Sequence, residues 1–186
     1  YKTGKAHLVE RYDLRIPLAE IKLAEQNRLN RGVDAFGKLP STDFILVGAL
    51  AEHNYNIDLM LDVMKSSMKV FEREFGPYQF RQARMIEFPA IATFAQSFAN
   101  TIAYSEDIGF LQDTKAIVAD PSKIDMVTYV TAHEIAHQWW AHQVLGADVQ
   151  GSTMLSESFA SYSSVLVMEK IYGPEQVRKF LKQERD

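Results

Sequence analysis

The sequence predicts an α+β fold, and three kinds of stretch carry that prediction. From Asn56 onward, Ile57, Met60/Leu61, Met64, Met68, Phe71 and Phe75 recur at spacings of three and four, the period of one helix face. ARMIEF (83–88) alternates as a half-buried strand does, and NTIAYSE (100–106) reads as a second. Residues 126–145 are apolar on nearly every side of a helix, which marks that helix as buried.

Taken in order, the first 43 residues are mixed and charged, with helix-like spacing in LAEIKLAEQNRLNR (18–31) and turn chemistry in GKLPSTD (37–43). Gly76-Pro77 closes the helix that begins near residue 56, and its methionines at core spacing read as gap fillers rather than a binding surface. Pro89 ends the first strand, and SEDIG turns the chain after the second. The buried helix at 126–145 follows Asp120-Pro121-Ser122, and a loop at 146–152 leads to a helix at about 153–172. Gly173-Pro174 stops that helix, and PEQVRKFLKQERD starts another. Five helices and a small sheet are therefore expected, in a single domain over residues 1–186 whose readable core is 55–186.

Composition narrows the function. A chain of 186 residues, 47% hydrophobic and 24% charged, can bury one substantial core. A net charge of -4 offers no basic surface for phosphate backbones, so no nucleic-acid partner is expected. With no cysteine, disulfides, thiolate metal sites and cysteine nucleophiles are excluded, leaving His, Asp and Glu as strong metal ligands. The longest wholly apolar run, FILVGALA (44–51), is far short of the roughly 20 residues of a bilayer span. A soluble stretch is expected, and its start at Tyr1 and end at KQERD suggest a piece of something longer.

The chemistry lies in VTYVTAHEIAHQWWAHQVL (127–145), which sets two imidazoles and a carboxylate inside an apolar run. A polar group taken from water without a partner costs roughly 2–7 kcal/mol, so something must compensate three of them. On a helix, His133 and His137 stand about 40° apart and one turn in height, so both rings can reach one ion. Glu134 projects to the flank of that pair, placed to take a proton rather than to ligate. Two core histidines bonded to carbonyls, with Glu134 paired to a lysine or arginine, is the plainer alternative. It needs several independent partners where one divalent cation serves all three groups.

A catalytic zinc keeps three protein ligands and one open position. His142, five residues past His137, faces about 140° further round a continuous helix and reads as structural. Among the acidic candidates, Asp148 sits in the connecting loop as a support for an imidazole N–H, and Glu169 lies three turns too far. Glu157 is best placed, because a reversing loop and the first turn of an antiparallel helix bring it opposite the histidines. Two neutral imidazoles and one carboxylate leave zinc with residual charge to acidify a water, and Glu134 can take the proton and later pass it to a leaving amine.

HEIAHQWW and LSESFASY resemble the gluzincin metallopeptidases of the aminopeptidase N family, across roughly residues 55–186. The resemblance implies a thermolysin-like catalytic domain, a peptide substrate, Zn2+ held by His133, His137 and Glu157, and Glu134 as general base. It also extends to family members that form soluble parts of larger membrane proteins, including ones that look like transporter permeases. Nineteen residues separate His137 from Glu157 where the family usually has eighteen. The family's Gly-x-Met-Glu-Asn stretch, whose acid holds the substrate's free amino terminus, is replaced by FAQSFAN before TIAYSE. Glu106, Asp107, Gln96 and Ser97 are the candidate substitutes; the family's transition-state tyrosine normally comes well downstream of the zinc-binding glutamate, past residue 186, and Tyr104 and Tyr162 read as packing residues. Two functional readings follow: a zinc peptidase, with NTIAYSE pairing to an extended substrate along its edge, or a zinc-binding module with little turnover.

Overall fold

The computed structural model describes residues 8–14 and 44–50 as backbone, together with residues 56–115, 120 and 123–185. The helix-like stretch 18–31 and the turn 37–43 lie outside the described residues. Among the described residues five strands form one sheet: β1 (Leu8–Leu14), β2 (Phe44–Leu50), β3 (Gln82–Phe88), β4 (Ala95–Phe98) and β5 (Thr101–Ser105), in the order β1-β2-β3-β5-β4. The β2–β3 and β3–β5 pairs are parallel, while β1–β2 and β4–β5 are antiparallel. The fold is the α+β arrangement that the mixed periodicities predict.

Helix α1 (Ile57–Phe75) makes the crossover between the parallel strands β2 and β3. Its three-four pattern buries Ile57, Met60, Leu61, Met64, Met68 and Phe71, and Gly76 at φ 110° ends it, in a conformation that costs glycine least. Asn56 ties its start to the far turn, donating from Nδ2 to the carbonyls of Gly109 (2.6 Å) and Gln112 (2.9 Å). On the sheet, Ala83, Met85, Ile102 and Tyr104 are buried in one core with the helices, whereas Ile86, Phe94 and Phe98 on the opposite face are exposed. Period-two alternation thus reads directly as core side and open side.

Helix α2 (Met126–Ala136) is capped by Asp125, whose carboxylate accepts from Thr128 N (3.1 Å) and Thr128 Oγ1 (2.6 Å). Tyr172 donates to the same carboxylate at 2.6 Å. Tyr172 ends α3 (Phe159–Tyr172), so α2 and α3 run antiparallel. A π-helical turn at Met154–Ser158 leads into α3, and α4 (Pro174–Arg185) sets Phe180 against Tyr129 with ring centroids 4.5 Å apart.

Two expectations need correction. The helix over 126–145 stops at Ala136: Gln138 N turns to Ile135 O (3.0 Å), Trp139 N to Ala136 O (2.9 Å), and Val144 N folds back on Trp139 O (2.8 Å). At the break Trp139 packs edge-on to Phe71, and Trp140 packs against Phe75 and Phe159. NTIAYSE is also no open edge, because β5 is paired on both sides and the unanticipated β4 lies outside it.

Two substitutions probe this frame. A Cβ at Gly109 would run into the Tyr104 ring, at 2.9 Å from Cδ1, and lie 3.1 Å from Met60 Cε. Gly109→Ala is expected to lower unfolding free energy by about 1–3 kcal/mol in a denaturant titration. Ala141 holds φ 115°, where an L side chain is strained. Ala141→Gly is expected to raise Tm by about 2–4 °C, the gain from relieved strain exceeding the entropy that glycine adds to the unfolded chain.

Candidate metal centre

Ligand atoms of His133, His137 and Glu157 all lie within 4.8 Å of one another. Glu157 Oε2 stands 3.2 Å from His133 Nε2 and 3.5 Å from His137 Nε2. The histidines come from successive turns of α2, one in its last turn and one at its cap, and Glu157 comes from the π-helical turn before α3. The wider turn there, with Phe159 N donating to Met154 O, carries the carboxylate toward α2. Antiparallel packing keeps the two segments together, fixed at one end by Asp125 and Tyr172 and near the other by Trp140 Nε1 donating to Ser163 Oγ (2.9 Å).

Polarity tests whether this set fits a cation. The Nδ1 of His137 lies 3.0 Å from the Trp140 carbonyl, which can only accept, so Nδ1 carries the proton. In the neutral ring Nε2 is then a bare lone pair, and it faces a carboxylate oxygen. His133 Nδ1 stands 3.4 Å from Ser161 Oγ, which gives its ring a similar support. Acceptors aimed at one another are unfavourable until a positive charge lies between them. Four ligands at about 2.0–2.1 Å in a tetrahedron stand roughly 3.3 Å apart, the range of both histidine–carboxylate separations. The donor set fits a divalent cation of zinc's size and preference.

Glu134 flanks the group without joining it. It is buried, its Oε2 has no hydrogen-bond partner among the described residues, and its carboxyl is pushed up to about 8, chiefly by burial and then by the charge of Glu157. The Ser97 N–H, facing the carboxylate, works in the opposite direction. Burial also depresses His133, aided by the neighbouring His137 and opposed by Glu157.

The other sequence candidates fall elsewhere. His142 lies off the centre, with Nε2 donating to the Ser97 carbonyl at 3.2 Å; helix geometry does not set its direction, since α2 has already ended. Asp148 is exposed in the loop, and Glu169 is exposed on α3 beside Arg73 and Lys170, lining a groove of about 570 Å³ between α1 and α3. Glu106 accepts from Ala90 N (2.9 Å), and Asp107 from Ser105 Oγ (2.5 Å) and Thr93 Oγ1 (2.9 Å). Both serve the turns at that end of β5. Gln96 is exposed, Ser97 buried, Tyr104 wholly buried, and Tyr162 exposed in the α1–α3 groove. Sequence reasoning passed over Gln138, although a glutamine directly after the second histidine, inside an apolar run, was the available signal.

A helix bearing His-Glu-x-x-His, buried against a sheet and facing a glutamate from the next helical segment, defines a metallopeptidase architecture. The model of the peptidase family M1 domain matches residues 59–185, more than half of the chain. The chain belongs to that family, the gluzincin peptidases of aminopeptidase N type. It is 30% identical over 113 residues to aminopeptidase M1-B of Oryza sativa subsp. japonica, a match covering 60% of this chain and 12% of that protein. A leucyl aminopeptidase of Saccharolobus solfataricus is 25% identical over 137 residues, 73% of this chain and 16% of the relative. A probable aminopeptidase of Sulfurisphaera tokodaii is 31% identical over 113 residues, 60% and 14%. The chain thus matches less than a fifth of the length of these curated relatives. Among the described residues no helix is long and apolar enough to cross a membrane.

The centre predicts a graded loss of metal. Glu157→Ala should weaken Zn2+ or Co2+ affinity more than 100-fold in a calorimetric titration. Ser161→Ala, which removes only the contact to His133 Nδ1, should weaken it no more than about 10–100-fold, the range for a lost outer partner.

Proposed function

We propose that residues 55–186 form the core of a zinc metallopeptidase domain that hydrolyses peptide bonds. His133 Nε2, His137 Nε2 and the Glu157 carboxylate would hold the ion, and Glu134 would act as general base. One observation supports this above the rest: Glu157 Oε2 lies 3.2 and 3.5 Å from two imidazole nitrogens, while Glu134 Oε2 has no partner among the described residues.

Zinc bound there would supply Lewis acidity, acidifying a water toward neutral pKa and polarising a carbonyl. Its charge would oppose the burial and the Glu157 charge that raise the Glu134 carboxyl, so that Glu134 could take a proton on Oε2, unoccupied by any described group, and release it to the departing amine. Because the carboxylate is largely shielded from bulk water, the proton stays close to the reacting groups. Trp140 O and Ser161 Oγ hold the ring orientations of His137 and His133, so neither ligand has to search for its geometry. Glu157, with its side chain 56% exposed, leaves the centre open on the solvent side, where a substrate can enter.

The position of a free amino terminus is the finer question. Ser97 is engaged inside the protein, and Glu106 and Asp107 are engaged at the turns. None of these candidates offers a ready anchor for a substrate ammonium, which favours tolerance of peptides with blocked amino termini. In the full-length protein, Glu134→Gln should lower kcat by about 10²–10⁴ and leave zinc content unchanged by elemental analysis. Free-amine and N-acetylated forms of one peptide should be cleaved within tenfold of each other. A parent protein that binds zinc stoichiometrically yet cleaves neither peptide would exclude the peptidase reading in favour of a metal-binding module.

A further inference from the structure

We infer that Ser97 is a positioning residue for Glu134, through a hydroxyl whose direction is fixed by Gln138. The inference rests on the reading of Glu134 as general base.

The need for it begins at the end of α2. Because Gln138 N bonds Ile135 O, the regular helix bond that it would make to the Glu134 carbonyl is missing. Ser97 Oγ fills that place, donating to Glu134 O at 3.0 Å. A hydroxyl can turn, and here its orientation is forced. Gln138 Nε2, which can only donate, lies 2.6 Å from Ser97 Oγ, so the oxygen accepts there and must send its own proton elsewhere.

Gln138 cannot rotate to release it. Its Nε2 also donates to the Phe98 carbonyl (2.9 Å), and its Oε1 accepts from Asn100 N (2.8 Å) and the Tyr78 hydroxyl (3.3 Å). A flip would set nitrogen against the N–H of Asn100 and oxygen against the carbonyl of Phe98, so these two partners select one orientation and the Ser97 hydroxyl adapts to it. The side chain is fully buried, where unmatched groups are costly.

Ser97 therefore holds Glu134 from both sides. The hydroxyl fixes the backbone carbonyl, while the N–H of the same residue faces the side-chain carboxylate. Ser97 belongs to β4 and Glu134 to α2, so this clamp sets the spacing between edge strand and base. Removing the hydroxyl frees the Glu134 backbone to shift relative to the ligands beside it. The metal itself is gripped by other residues and should remain.

The test compares Ser97→Ala, Ser97→Thr and Thr128→Val in the full-length protein. Thr128→Val removes hydroxyl contacts at the opposite end of the same helix and serves as a structural control. Ser97→Ala should lower kcat about tenfold or more, with KM and zinc content within twofold of the parent. Ser97→Thr should recover kcat to within about threefold, and Thr128→Val should keep kcat within twofold even where it lowers Tm as much. In the metal-free protein, hydrogen exchange at residues 95–98 and 134–138 should accelerate together in Ser97→Ala and not in Thr128→Val. Kcat losses that are equal in Ser97→Ala and Thr128→Val, or a Ser97→Ala kcat within twofold of an active parent, would overturn the inference alone. A zinc-loaded parent that cleaves no peptide would overturn the proposed function, and this inference with it.

Discussion

An imidazole nitrogen held against a carboxylate is the constraint from which the rest of this structure follows. His137 gives its Nδ1 proton to the Trp140 carbonyl and turns Nε2 to Glu157. That carbonyl is available only because the chain leaves the helix after Ala136 and bends back, and the bend passes through Ala141 at positive φ. Both tryptophans of the bend are anchored: Trp139 Nε1 donates to the Gly76 carbonyl and Trp140 Nε1 to Ser163. The orientation of one ring thus depends on the end of α1, on α3 and on a strained alanine together. Core packing and ligand geometry cannot be separated in such an arrangement.

Glu157 meets a different requirement. The histidines sit in a buried helix, while the carboxylate that completes the group is largely exposed, so it has little packing to hold it. Its placement comes from the backbone instead. Tyr172 on Asp125 and Trp140 on Ser163 fix α3 against α2 at well-separated points, and the π-helical turn extends from that fixed helix. A regular α-turn at 154–158 would change the angular phase of Glu157 relative to α3. A one-residue widening shifts that phase without moving the helix.

How much of this the sequence disclosed depends on the length scale of each signal. The α1 face and the alternation in β3 repeat over many residues, so burial leaves a periodic trace that can be counted. His133 and His137 were legible because their spacing equals one helical turn, and Glu157 because only the start of the next helix can face them. The end of α2 was not legible. QWWAHQVL has no proline or glycine to mark a stop, and the residue at positive φ is an alanine. Strand β4 spans four residues, too few for alternation to stand out, and the open side of the sheet keeps Phe94 and Phe98 exposed, which blurs the contrast between its faces. A glutamine inside an apolar run marks Gln138 as a residue in need of partners, but its partner Ser97 lies 41 residues away, a pairing that no local pattern encodes.

An edge strand so short has little of its own to hold it. β4 pairs with β5 on one side, and among the described residues no strand neighbours its outer backbone groups. The Ser97 carbonyl is met by His142, the Ser97 hydroxyl by Gln138, and the Phe98 carbonyl by the same amide. Side chains from the segment after α2 thereby perform for this edge what a sixth strand would perform elsewhere. The same segment begins at His137. Any change that loosens β4 must therefore act on residues one to five positions from a candidate ligand, and any shift of that ligand's segment must disturb β4. Sheet edge and candidate metal centre form one cooperative unit, because Gln138 meets both the Asn100 N–H and the Phe98 carbonyl in only one arrangement of the two.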